Sequence, residues 1–157
     1  MLRPPPPIVN SSSPAYTSAA NHKGIAVVKL FLLCSALLVM LYFLLAFNVS
    51  MMRGKTRIGV GSNSDPSGPL NKAIRAHGNA AEYLPLFVAI FLYFSLVGAS
   101  RWVAWVAVAV TVCRFSHALG MYMSADLNKA QPFRFIGALG TYAGGIALGV
   151  ALLLRSC

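Results

Sequence analysis

Acidic residues are scarce in this sequence. Among 157 residues only Asp65, Glu82 and Asp126 are acidic, and charged residues of both signs make up 10%. A soluble domain carries about a quarter charged residues, so this chain is not built to face water over most of its surface. Cysteine is scarce as well. Cys34, Cys113 and Cys157 show no metal-ligand spacing, and the first two lie inside apolar stretches, where packing is the default role. No nucleophile triad, phosphate loop or metal cluster can be read from the residues. The net charge of +10 does not point to nucleic acid, because no basic run exceeds R-G-K-T-R at 53–57 and the other cations are scattered at segment ends. Membrane flanks and anionic headgroups account for them better.

What the chain has in abundance is long apolar tracts. Hydrophobic residues make up 57% of it. Residues 25–49 are interrupted only by Lys29, Ser35 and Asn48; 84–99 carry no charge; 102–122 contain Arg114 and His117; 135–154 are again uncharged. A membrane span takes roughly 20 helical residues, so the sequence predicts an all-α integral membrane protein, a bundle of four transmembrane helices. The helices are expected near 24–52, 69–97, 100–125 and 132–155, in one domain covering 22–157. Residues 1–21, rich in proline and serine with a single charge, are expected to be a disordered tail. The tail lacks the basic-then-apolar order of a cleaved signal, and the first helix reads as a retained anchor. The very short second loop predicts a tight antiparallel hairpin of the second and third helices. Gly137, Gly140, Gly144, Gly145 and Gly149 fit either close helix approach or ordinary transmembrane glycine enrichment.

An even number of spans puts both termini on one side with the second loop. That side carries Arg3, Lys23, Lys29, Arg101 and Arg155. The first and third loops, with the adjoining helix ends, carry Arg53, Lys55, Arg57, Lys72, Arg75, Lys129 and Arg134. The imbalance favours the first and third loops as cytoplasmic.

One stretch stands out against the apolar background: R-A-H-G-N-A-A-E-Y-L-P at 75–85. At about 100° per residue, Arg75, Asn79 and Glu82 fall within about 60° of one another on the second helix. Tyr83 lies about 40° further round, and His77 points to nearly the opposite face. An ionised carboxylate facing hydrocarbon costs several kcal/mol, so this stripe must face protein or a watery cavity. On the third helix Arg114, His117, Ala118 and Met121 share a face. Counted at about 1.5 Å per residue, Glu82 and Arg114 reach similar depths from the same side, which predicts a buried ion pair. Arg53 and Arg134 end and begin their helices at that end too. Such a cluster of cations with one carboxylate suits an anionic ligand held by guanidinium forks. The alternative is that Glu82 and Arg114 only pin two helices while the other arginines snorkel to phospholipid. His117 by itself reads more simply as a hydrogen-bonded packing residue than as a base.

The motif at 75–85, preceded by R-I-G-V-G at 57–61 and followed by R-F-S-H-A-L-G at 114–120, resembles the MAPEG family, the membrane-associated proteins of eicosanoid and glutathione metabolism. The likeness is to its bacterial-type branch and covers about 24–155. It implies a four-helix subunit assembled as a homotrimer, with glutathione bound near the cytosolic face between subunits and a lipophilic electrophile or hydroperoxide entering from the bilayer. By the same resemblance Arg75, Asn79, Glu82 and Tyr83 contact glutathione, His77 and Arg53 help bind it, and Arg114 and His117 match an arginine and a ligand contact on the third helix. Arg134 matches the arginine that stabilises the thiolate and is the candidate catalytic residue. The implied activity is that of a glutathione transferase, with peroxidase activity as a variant, and glutathione as co-substrate. Eicosanoid-forming members place a tyrosine seven residues after the third-helix arginine; this chain has Met121 there, with Tyr122 beside it, which favours broad over eicosanoid-specific chemistry. The family also includes a non-enzymatic lipid-presenting scaffold, so a lipid-binding role without turnover is the alternative function.

Overall fold

The computed structural model describes residues 14–62 and 64–156, with side-chain surroundings described from Gly24 onward. Its elements are four helices, α1 (Pro14–Thr56), α2 (Pro69–Val97), α3 (Arg101–Met123) and α4 (Pro132–Ser156). Each contains a stretch long and apolar enough to cross a membrane, Gly24–Thr56 in the case of α1. The chain is an all-α, four-span membrane protein. Helix ends fall within two residues of expectation for α2, α3 and α4, the usual scatter of such boundaries. α1 starts earlier, at Pro14, and so takes in residues 14–21 of the expected tail. The remainder of that tail, 1–13, lies outside the described residues, as does Cys157.

In a bilayer the outside of a helix is as apolar as its inside, so hydrophobicity alone does not mark the packed face. Phe43, Leu44, Leu96 and Leu153 are all largely exposed, as lipid-facing residues should be. Burial marks the core face instead. On α1 the buried apolar positions are Phe31, Cys34, Leu38, Leu41 and Leu45, alternating steps of three and four. On α2 they are Leu70, Ala73, Ala76, Ala80, Leu84, Phe87, Phe91 and Phe94. Phe31 meets Phe91 and Phe94 with ring centroids 6.0 Å apart, which ties α1 to α2 away from the 75–82 stripe. Two buried threonine hydroxyls close on their own helices, Thr111 Oγ1 donating to Ala107 O at 2.8 Å and Thr141 Oγ1 to Gly137 O at 2.7 Å, so neither needs a polar partner in the lipid. Ser35 Oγ on α1, by contrast, is buried without a partner.

The chain turns between α2 and α3 in residues 98–100, as the short loop predicts, with Gly98 at φ 76°, a backbone angle that side-chain-bearing residues rarely adopt. Arg155, at the end of α4, caps this turn. Its Nη1 donates to Val97 O at 3.2 Å and its Nη2 to Gly98 O at 2.5 Å, placing a cation on the carbonyls that end α2. α2 nevertheless packs chiefly along α1, and α3 along α4. The short link fixes neighbours in sequence; residue size fixes the main contacts.

At the α3–α4 seam the size that matters is glycine's. A Cβ at Gly137 would lie 2.6 Å from the backbone nitrogen of His117 and 2.7 Å from the carbonyl oxygen of Cys113. Cβ atoms at Gly140 and Gly144 would collide with the side chains of Cys113 and Val110, and one at Gly120 with the backbone of Arg134. Gly145 differs, since a Cβ there would rest in ordinary contact, 3.6 Å from Phe87. Close approach therefore explains Gly137, Gly140 and Gly144, while Gly145 and Gly149 do not require it. Gly137→Ala is expected to cost about 1–3 kcal/mol by overpacking, read as a lower unfolding midpoint in detergent. Gly145→Ala should leave that midpoint unchanged or slightly raised. Equal midpoints for the two variants would contradict a seam set by backbone contact at Gly137.

Candidate functional site

The two remaining connections meet at the opposite end of the bundle from Arg155. α1 ends where Arg57 takes a left-handed φ of 58°. Arg53 Nη1 then reaches the carbonyl oxygens of Ile58, Gly59 and Gly61 at 3.3, 3.1 and 3.1 Å, folding that loop back on its helix. Ser67 Oγ donates to Asp126 Oδ1 at 3.2 Å and accepts from the Leu127 N–H at 3.0 Å, which joins the first loop to the third. The backbone N–H of Asn128, with help from the Ser67 hydroxyl, holds the Asp126 carboxyl below its ordinary value. α4 begins with Pro132 behind Gln131, whose Oε1 accepts from the Arg134 N–H at 2.7 Å, a side-chain cap on the first turn.

Between these loops and the helix ends lies a cavity of about 680 Å³. α2 supplies Ile74, Arg75, Gly78, Asn79 and Glu82; α3 supplies His117 and Met121; the loops supply Pro66, Leu127 and Asn128; α4 supplies Arg134. The stripe at positions 75, 78, 79 and 82 is one helical face, so α2 lays its polar groups along one wall. Arg134 arrives from the far wall because Gly120 has no side chain to hold α4 away. Its Nη2 also donates to Lys129 O at 2.8 Å, which restrains the guanidinium. Ser116 Oγ, donating to Phe133 O at 3.0 Å, fastens the same turn of α4 to α3.

Arg114 stands just behind this wall, 2% exposed. Its Nη2 donates to Asn79 Oδ1 at 2.8 Å and to Asn79 O at 3.2 Å, and its guanidinium carbon lies 5.1 Å from the centre of the Tyr83 ring. The expected Glu82–Arg114 ion pair does not form. The reason is angular: Asn79 and Tyr83 lie on the side of α2 that Arg114 reaches, whereas Glu82 is about 60° round from Asn79, exposed towards the cavity. With its Oδ1 engaged by Arg114, the Asn79 amide has its NH₂ left to offer a ligand.

The structure thus brings Arg75, Asn79, Glu82, His117 and Arg134 to one cavity, with Arg114 and Tyr83 in the layer behind. It does not bring Arg53, whose Nη1 is held by its own loop, or His77, whose ring packs 5.0 Å from that of Tyr42 on α1 with Nδ1 buried and unpartnered. His77 does point away from the stripe, as its position on the wheel predicts. Met121 lines the cavity where a tyrosine was noted as missing, while Tyr122 turns to α1 and accepts a 2.7 Å hydrogen bond from Asn48 Nδ2. Sequence reasoning did not single out Gly78 or the loop residues Pro66, Leu127 and Asn128. Gly78 was within reach, since it shares the stripe and a Cβ there would meet open space. The loop residues carry no periodicity and so no signal.

Since Glu82 has no cationic partner to lose, Glu82→Gln is expected to leave the unfolding midpoint nearly unchanged. Arg114→Ala should lower it, because Asn79 and the Tyr83 ring lose their partner inside the span, a cost of about 1–3 kcal/mol. An equal, non-additive loss in both variants would restore the ion pair.

The model of the MAPEG family matches residues 31–154, which takes in every residue of the cavity. The chain is similar to inner membrane protein YecN of Escherichia coli strain K12, at 32% identity over 94 residues, 59% of this chain and 68% of that protein. The protein of the same name from strain CFT073 matches to the same extent.

Proposed function

The chain belongs to the MAPEG family, and on that premise we propose that it is a membrane-bound glutathione-dependent transferase or peroxidase whose site is the cavity at the first and third loops. One observation supports the reading most: the cavity opposes two guanidiniums, Arg75 and Arg134, with one carboxylate, Glu82, and one amide, Asn79. Glutathione carries the complementary set, two carboxylates, one ammonium and a thiol. A volume of about 680 Å³ lies within the range of small-molecule sites, roughly 300–1,000 Å³. In this reading Arg75 forks onto a carboxylate, Glu82 accepts from the ammonium, and the Asn79 NH₂ donates to a peptide carbonyl. Arg114 and Tyr83 act by holding Asn79. His117 and Met121 border the ligand on the α3 side.

Arg134 is the proposed catalytic group. A free thiol has a pKa near 8.5, so at neutral pH it is mostly protonated; a guanidinium beside the sulfur favours the thiolate. The thiolate then displaces a leaving group from a lipophilic electrophile. Alternatively it attacks a hydroperoxide oxygen, releasing the alcohol, and a second glutathione completes the disulfide with loss of water. Three further points belong to the proposal. The subunits form a homotrimer, in which Arg53 and His77, both outside the cavity of a single chain, serve a neighbour's ligand. The loop end faces the cytoplasm, in keeping with the excess of basic residues there. The lipophile enters from the bilayer.

Purified protein assayed with glutathione and an aryl halide or a lipid hydroperoxide should turn over. Arg134→Ala should lose about tenfold to hundredfold at neutral pH and recover part of that in alkali, where hydroxide supplies the thiolate; Arg134→Lys should be intermediate. Glutathione binding without turnover of any electrophile would favour a lipid-binding scaffold of the same fold. Absence of glutathione binding would reject the proposal.

A further inference from the structure

The cavity's rim is made by two loops that are far apart in sequence, and one hydroxyl holds them together. Ser67 Oγ donates to Asp126 Oδ1 at 3.2 Å and accepts from the Leu127 N–H at 3.0 Å. Each side of this junction is braced by its own turn. On the first loop, the Ser67 and Gly68 N–H groups donate to Asp65 Oδ1 and Asp65 O at 2.9 and 3.1 Å. The side-chain amide of Asn71, already in α2, donates to Asp65 O at 2.5 Å. On the third loop the N–H groups of Asn128 and Lys129 donate to Asp126 Oδ1 and Asp126 O at 2.9 and 3.2 Å. Both turns are therefore stiff, and the contact between them joins two preformed pieces. The residues next to the junction on either side, Pro66, Leu127 and Asn128, are themselves part of the cavity wall.

We propose that Ser67 and Asp126 form a clasp across the rim of the cavity and set the width of its mouth, making them specificity-determining positions for whatever ligand enters. The location supports this. A junction one residue away from wall residues on both loops cannot open without moving the wall. The chemistry supports it too, since a hydroxyl shared between a carboxylate and a backbone N–H is directional and exposed to competing water, strong enough to hold two braced turns and weak enough to release them. Leu127, on the third loop, also packs against the buried core, which keeps that loop on the bundle when the clasp opens. Access to the cavity is a property of the rim whatever the ligand, and this inference stands apart from the glutathione reading.

The test measures entry directly. In full-length protein with Cys113→Ala and Cys157→Ser, a reporter thiol is placed on the inner wall by Met121→Cys, a cavity-lining position only 7% exposed. Its modification by an anionic and a cationic thiosulfonate is followed by mass spectrometry, with buried Cys34 as internal control. Ser67→Ala is expected to speed reporter labelling about tenfold with both reagents, as loss of hydrogen bonds to a carboxylate and an N–H would do. Asp126→Asn should act in the same direction, and Ser67→Thr, which keeps the hydroxyl, should restore the slow rate. Unchanged labelling in Ser67→Ala would overturn the clasp. So would acceleration confined to the anionic reagent in Asp126→Asn, which would make Asp126 a local charge, or simultaneous labelling of Cys34, which would mean general loosening. No glutathione is used, so the outcome is separate from that of the proposed function.

Discussion

A cation in the middle of a membrane span must find its hydrogen bonds within the protein, because hydrocarbon offers none. Arg114 meets much of that demand through the side chain and the backbone carbonyl of Asn79 and the face of Tyr83, while its Nε stays buried without a partner. Much of the site depends on this choice of partners. Because the guanidinium takes Asn79 and not Glu82, the carboxylate is left facing the cavity and the amide is fixed in one orientation. A direct Glu82–Arg114 pair would have neutralised the one anionic group on the cavity wall. The partner of the structural cation, Asn79, and the cavity-facing anion, Glu82, are kept apart by about 60° on one helix.

The other wall depends on the absence of side chains. Gly137, Gly140 and Gly144 let α4 lie against α3, and Gly120 lets the first turn of α4 settle where Arg134 faces His117 and Met121 across the cavity. The first turn is further fixed by Gln131 and by Ser116. Helix packing in lipid gains little from hydrophobicity, so close backbone approach is the means available to bring a charged residue to a set position. Stability and site geometry thus share the same glycines.

Much of this was legible in the sequence, for physical reasons that differ by residue. The four spans follow from the length of their apolar runs, and three of the helices begin and end within two residues of where turn residues and prolines put them. The stripe of Arg75, Asn79 and Glu82 follows from helical period alone, as does the opposite direction of His77. Partner choice was not legible, since depth places Glu82 and Arg114 at one level but says nothing of which side Arg114 reaches. Arg53 was read as a site cation because it ends a helix among other cations; its commitment to the carbonyls of Ile58, Gly59 and Gly61 depends on a loop conformation that no period encodes. The Ser67–Asp126 junction joins residues 59 apart and leaves no pattern at either position. Only the resemblance points to Arg134 as the catalytic arginine, and the geometry adds that it lines the same cavity as the α2 stripe.

The proposed function requires that the cavity bind glutathione and favour its ionised sulfur. The most direct measurement is the ultraviolet difference spectrum of the thiolate when glutathione is added to the purified protein, followed as a function of pH. A saturable thiolate signal is expected at neutral pH, with the bound thiol titrating below the ordinary value near 8.5. A bound thiol that titrates at its ordinary value, or no saturable signal at any pH, would contradict it.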